Sequence, residues 1–166
     1  MIEVNLEDLC AKMCSAFGEE SEHAPLATFL AATEALQMVH HSHHWQTKGS
    51  NSYGDHILFQ RLYEQILTEI DLVGEKLIGV SGDAKLTNYF ARMKAIQVFL
   101  GAVSTGEPYV VVSHGAEQLY LKLGEMVVSK LEEVGLLSTG VENMLGAVLD
   151  KHEEHLYLLQ RRVRGQ

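Results

Sequence analysis

Residues 44–75 read HWQTKGSNSYGDHILFQRLYEQILTEIDLVGE. Phe59, Leu62, Ile66, Ile70 and Val73, continued by Leu77, return every three or four positions, the period of a helix with one buried face. His56, Gln60, Leu67, Asp71 and Glu75 form a second stripe, roughly 110° around the same helix at about 100° per residue. A helix with a core stripe and a separate polar stripe faces two partners, and another subunit suits the second. Upstream, the glycine- and serine-rich stretch from Gly49 to Gly54 marks a turn, so His44 and Trp45 close a preceding helix.

Working outward, further glycine clusters at Gly79–Asp83, Gly101–Gly106 and Gly135–Gly140, with Pro25 and Pro108, divide the chain into helical blocks. They predict a short helix at about 5–16, long helices near 25–46 and 54–79, and a connecting helix at about 84–102. A third long helix ends near Val134, and a fourth runs from Val141 to about Val163, opened by Thr139 and Glu142 at capping-box spacing. Tyr109–Val112 is β-branched and suits an extended segment, but one such patch does not make a sheet. The expectation is all-α: a single domain over 1–166 forming a four-helix bundle, with an extra helix in the long connection between its second and third long helices.

A chain of 166 residues is long enough to bury a core without disulfides. No apolar run approaches the roughly 20 residues that cross a bilayer, and the first residues lack the basic-then-apolar secretory pattern. Cys10 and Cys14, one helical turn apart, read as reduced thiols, which fits a reducing, cytoplasmic compartment. The net charge is −9, and residues 1–22 hold six acids against Lys12 alone, a balance that disfavours nucleic acid as the main partner. Arg161, Arg162 and Arg164 read as a solvated helix end near its own dipole.

His44, His56, Asp71 and Glu75 supply the nitrogen and oxygen ligands that suit a redox-active first-row metal. A helix rises 1.5 Å per residue, so His56 and Asp71 lie roughly 22 Å apart, beyond any single ion. The chain therefore carries two half-sites: the two imidazoles with Gln60 at one end, and Asp71 with Glu75 further down. Two such helices packed antiparallel about a two-fold axis would bring each imidazole half-site to the partner's carboxylates.

The pattern HW-x3-G-x3-Y-x2-H-x2-F-x3-Y-x7-D-x3-E resembles the ferroxidase motif of the Dps family, ferritin-like proteins that form hollow iron-storing shells. In that family two histidines, an aspartate and a further Asp-x3-Glu pair build an iron site across a subunit two-fold. His44, His56, Asp71 and Glu75 match four of these positions in register; Trp45, Gly49, Phe59 and Tyr63 also fall on the pattern. Gln60 stands where the additional aspartate belongs and removes one anionic ligand. The resemblance implies a ferritin-like bundle, iron as metal, Fe(II) oxidation by peroxide or dioxygen, and a shell of twelve chains. The acidic N-terminus departs from the lysine-rich tails with which some members bind DNA. A ferritin-like scaffold with a degenerate metal site and no turnover is the alternative.

Among the remaining histidines, His40 lies one turn from His44 and suits an interface role, with assistance to His44 or adventitious metal binding as the competing reading, while His41 and His43 read as surface or packing residues. Trp45 and Tyr63 suit either packing or electron transfer near the site. Val141, Leu145, Val148, His152, His155 and Leu159 share one stripe on the last helix. His152 and His155 therefore read as core or interface side chains, hydrogen-bonded by Asp150 or Glu153. The competing reading is an intrachain metal site of His152, His155 and a carboxylate such as Glu34.

Overall fold

The computed structural model describes residues 4–18, 21–106 and 108–165, so Glu3, Glu19 and Glu20 of the acidic segment lie outside the described residues. Its helices are α1 (Leu6–Ser15), α2 (Ala24–Gln46), α3 (Ser52–Ser81), α4 (Tyr89–Ala102), α5 (Tyr109–Glu133) and α6 (Thr139–Arg164), with a 3₁₀ turn at Ala84–Thr87. No strand occurs among the described residues, and no helix among them is long and apolar enough to cross a membrane.

Helix α2 is the axis of the molecule. It packs against α3, α5 and α4, while α5 packs on α6, α3 touches α6, and α1 lies across α4 and α2. Its sequence explains this place: Ala24, Ala27, Ala31, Ala32 and Ala35 keep it slim, while Leu26, Phe29, Leu30 and Leu36 point into neighbours on several sides, and all are buried. A helix apolar around most of its circumference is one that others surround. Helices α2, α3, α5 and α6 form the bundle, and α4 is the extra helix of the long connection.

The core stripe of α3 is in place: Phe59, Leu62, Ile66, Val73 and Leu77 are buried, with Ile70 packed at the margin. At mid-bundle Phe29 stacks on Tyr120 with ring centroids 5.1 Å apart, and the Tyr120 hydroxyl lies 2.8 Å from Thr33 Oγ1, so this buried phenol is paired. Gly124 lets α5 and α6 approach. A Cβ there would lie 2.4 Å from Leu149 Cδ2 and 3.1 Å from Phe29 Cε2. Gly124→Val should therefore lower stability by about 1–3 kcal/mol through overpacking. Gly146→Ala, where a Cβ meets nothing, should raise it by up to about 1 kcal/mol. Denaturation midpoints measure both.

Three local expectations are corrected. Tyr109–Val112 is the first turn of α5, because Val110 packs in a small cluster with Phe59, Leu62 and Leu159, and burial outweighs β-propensity. The cap of α6 is Ser138, whose side chain accepts from the Val141 N–H; Thr139 is already helical, so no box with Glu142 forms. The basic helix end is not wholly solvated. Arg162 donates from Nε to Asp55 Oδ1 at 2.6 Å and from a terminal nitrogen to Oδ2 at 3.0 Å, a two-pronged pair that ties the end of α6 to the start of α3.

Cys10 and Cys14 are free thiols with sulfurs 4.0 Å apart. The hydrogen bond between them pushes the Cys10 thiol up and draws Cys14 down to about 7, helped by the Thr28 hydroxyl.

Candidate metal centres

The turn between α2 and α3 is set by Gly49, whose φ of +85° is open to glycine at little cost, and whose carbonyl accepts from the Ser52 N–H at 3.1 Å. This reversal sets the end of α2 against the start of α3 and brings His44 beside His56. Their rings stack with centroids 3.7 Å apart. His44 Nδ1 lies 2.9 Å from the His56 carbonyl oxygen, and His56 Nδ1 lies 3.0 Å from the His44 carbonyl oxygen. A carbonyl can only accept, so both Nδ1 atoms carry the proton and donate it. In the neutral rings each Nε2 then holds a lone pair, and no hydrogen bond among the described residues engages either one. Outer hydrogen bonds that fix tautomer and ring orientation are what metal-binding histidines need.

Aromatic packing supports the pair. Tyr63 meets His44 edge-on at 5.2 Å. His41 stacks on Tyr63 at 4.1 Å and lies 4.2 Å from Trp45. His41 is thus a packing residue, half-buried, whereas Trp45 is 68% exposed. Gln60 is half-buried and donates from Nε2 to Glu64 Oε1 at 2.8 Å.

Asp71 and Glu75 are exposed on α3, one turn apart, and line a cleft with Ile70, Gly74, Ile78 and Arg92. Fifteen residues of unbroken helix separate Asp71 from His56, roughly 22 Å. Within one chain the imidazoles meet each other and the carboxylates share a face, but the two pairs do not meet. Around them Ile57, Leu67, Leu72 and Ile78 are exposed apolar residues on the same helix.

A second cluster lies inside the bundle. Glu117 of α5, fully buried, accepts from His152 Nδ1 at 2.7 Å, from His40 Nε2 at 2.8 Å and from His155 Nδ1 at 3.2 Å. His152 Nε2 donates to Glu69 Oε2 at 2.8 Å, and the Gln65 amide lies 2.9 Å from His155 Nε2. Ser113 Oγ sits 3.2 Å from His40 Nδ1 and 2.6 Å from His43 Nδ1. His40 and His43 therefore belong to the core rather than to an interface or the surface.

The partners of His152 and His155 are neither Asp150 nor Glu153, which are exposed. Glu34 is not among them either, because Arg92 holds it in an ion pair. Glu117 and Glu69 are not among the ligands expected from the sequence. The available signal was an acid within an apolar stripe: Glu117 sits one turn from Ser113 and Tyr120, and Glu69 lies between Ile66 and Val73.

Electrostatics follow from burial against pairing. Burial pushes Glu117 up, but the His152 charge and three imidazole hydrogen bonds outweigh it and hold the carboxyl well below the usual range. Burial lowers His152, yet its two carboxylate partners raise it to about 9. His40 is lowered by burial despite Glu117, and His43 falls to about 4, first by burial and then by His40.

Four long helices, an extra helix in the long connection and imidazole and carboxylate clusters on and between them define a ferritin-like bundle. In fold the chain is similar to the DPS protein from Vibrio cholerae O1, a member of a broad superfamily of ferritin-like diiron-carboxylate proteins. The TM-score is 0.66 at 15% identity, over 94% of this chain and 91% of that one. In sequence it is similar to the nutrient stress-induced DNA-binding protein of Nostoc sp. (strain PCC 7120), with 24% identity over 135 residues, spanning 81% of this chain and 72% of the relative. No family model matches. The Dps resemblance read from His44 to Glu75 thus has counterparts in both fold and sequence.

Proposed function

We propose that this protein oxidises Fe(II) at a site shared across a subunit two-fold and stores the Fe(III) within a shell of identical chains. His44 and His56 bind Fe(II) from one chain, and Asp71 and Glu75 complete the site from its two-fold mate. The single observation that carries the reading is the reciprocal hydrogen bonding of His44 and His56, which engages both Nδ1 atoms and leaves each Nε2 as the candidate ligand atom. Exposed Ile57, Leu67, Leu72 and Ile78 beside both half-sites support α3 as the surface that a second chain covers. Hydrogen peroxide takes one electron from each of two Fe(II) and leaves as two hydroxide ions; dioxygen is the other candidate oxidant. The net charge of −9 favours attraction of iron cations. It also weighs against carrying over the DNA binding in the name of the Nostoc relative.

Gln60 favours a second reading, a scaffold with no turnover, because a neutral amide bonded to Glu64 stands where the resemblance implies a carboxylate. Iron loading separates the two. Incubated with Fe(II) and peroxide, the purified protein should accumulate many iron atoms per chain as Fe(III). An uptake of about one iron or fewer per chain, unaltered by peroxide, would establish the scaffold.

A further inference from the structure

We infer that the bundle core holds a second metal site, within one chain, in which Glu117, His152 and His155, with Glu69 and His40 beside them, bind a single divalent first-row cation. It shares no residue with the surface site, and neither site depends on the other.

Three observations carry the inference. First, one ligand atom from each of Glu117, His152 and His155 falls within 4.8 Å of the other two, and all three residues are buried. Tetrahedral bonds of about 2.1 Å set ligand atoms about 3.4 Å apart, so closure requires shifts of up to about 0.7 Å per side chain. Second, Glu69 Oε1 is buried with no hydrogen-bond partner among the described residues, while its other oxygen, Oε2, accepts from His152 Nε2. His152 Nδ1 faces Glu117 and its Nε2 faces Glu69, so Glu69 would orient the ring from outside while Nδ1 turns to the ion. Third, the groups come from four different helices: His40 from α2, Glu69 from α3, Glu117 from α5 and the histidine pair from α6. Such a bound ion would therefore pin the whole bundle rather than one hairpin.

The donor set names the ligand class. Imidazole nitrogens with carboxylate oxygens suit Zn(II), Fe(II) or Mn(II); the nitrogen donors argue against Ca(II), and a set without thiolate or thioether argues against Cu(I). Two carboxylates balance a doubly charged ion. The imidazoles that now donate to Glu117 and Glu69 would give up a proton and present the lone pair to the metal.

The test uses the full chain carrying His56→Ala and Asp71→Ala, which removes the surface site, expressed in Zn(II)-supplemented medium and dialysed. About one zinc per chain should remain, with an anomalous scattering peak among Glu117, His152 and His155 in crystals. At free zinc about a hundredfold above Kd, the Tm should rise by about 5–10 °C over chelated protein. His155→Gln, which keeps a hydrogen-bonding side chain, should lose the zinc while its circular dichroism shows a folded helical protein. Zinc-free protein with no core peak would overturn the assignment, as would zinc retained unchanged in His155→Gln. If His155→Gln does not fold, the crystal peak alone decides.

Discussion

Replacing His56 and Asp71 together by alanine should slow rapid Fe(II) oxidation by about two orders of magnitude or more, while helical content stays as in the parent. The magnitude follows from ligand loss: removal of an outer-shell partner alone typically costs 10–100-fold in metal affinity or activity, and here every shared site loses an imidazole and a carboxylate. The structural cost is small, because Asp71 is exposed and His56 is half-buried. His56 also anchors the His44 ring through its carbonyl, but that bond uses the backbone and survives the substitution. Stopped-flow absorbance of Fe(III) formation, paired with circular dichroism, makes the measurement. Unchanged kinetics would remove the surface site from the reaction.

The largest effect on stability should come from Glu117. In chelator-treated protein, Glu117→Ala should cost about 3–5 kcal/mol, because it leaves a cationic imidazole buried without its main counter-charge. For a chain of this size that is a Tm lower by about 6–20 °C. Three imidazoles converge on this one carboxylate, and all four side chains are fully buried. Glu34→Gln is the comparison. Its Arg92 partner is partly exposed, with side-chain exposures of 26% and 19% in the pair, so the loss should stay nearer 1 kcal/mol. Equal losses for the two variants would contradict the view that the bundle is organised around Glu117.

The difference between these two acids shows where the sequence is legible. Glycine clusters and two prolines announce the helices because each acts locally: Gly49 and Gly82 take positive φ where a helix must turn or stop. The separation of His56 from Asp71 is equally local, a consequence of helix rise. Glu117 and Glu69 are different. Each looks like an ordinary solvated acid until α6 places His152 and His155 opposite, and only tertiary packing supplies that. Histidines continuing the apolar stripe of α6 did signal a polar core, but not which of the chain's acids would face them. Likewise Ser138 and Thr139 both have capping chemistry, and the path of the chain into α6 selects the first. The turn chemistry of HHSHHW was visible as a cluster; its division was not. His40 and His43 turn inward to Ser113, His41 packs on aromatics, and His44 alone joins His56.

The central claim, that each iron site draws its imidazoles and its carboxylates from different chains, has a direct test in subunit complementation. Chains with His56→Ala and chains with Asp71→Ala, differently tagged, are co-expressed and the mixed assemblies purified. Neither variant alone keeps an intact site. A mixed dimer regains one, built from the imidazoles of the Asp71→Ala chain and the carboxylates of the His56→Ala chain. Random pairing should restore about one quarter of the sites, and with them about one quarter of the wild-type rate of Fe(II) oxidation. A mixed assembly no faster than its two parents would contradict the shared site.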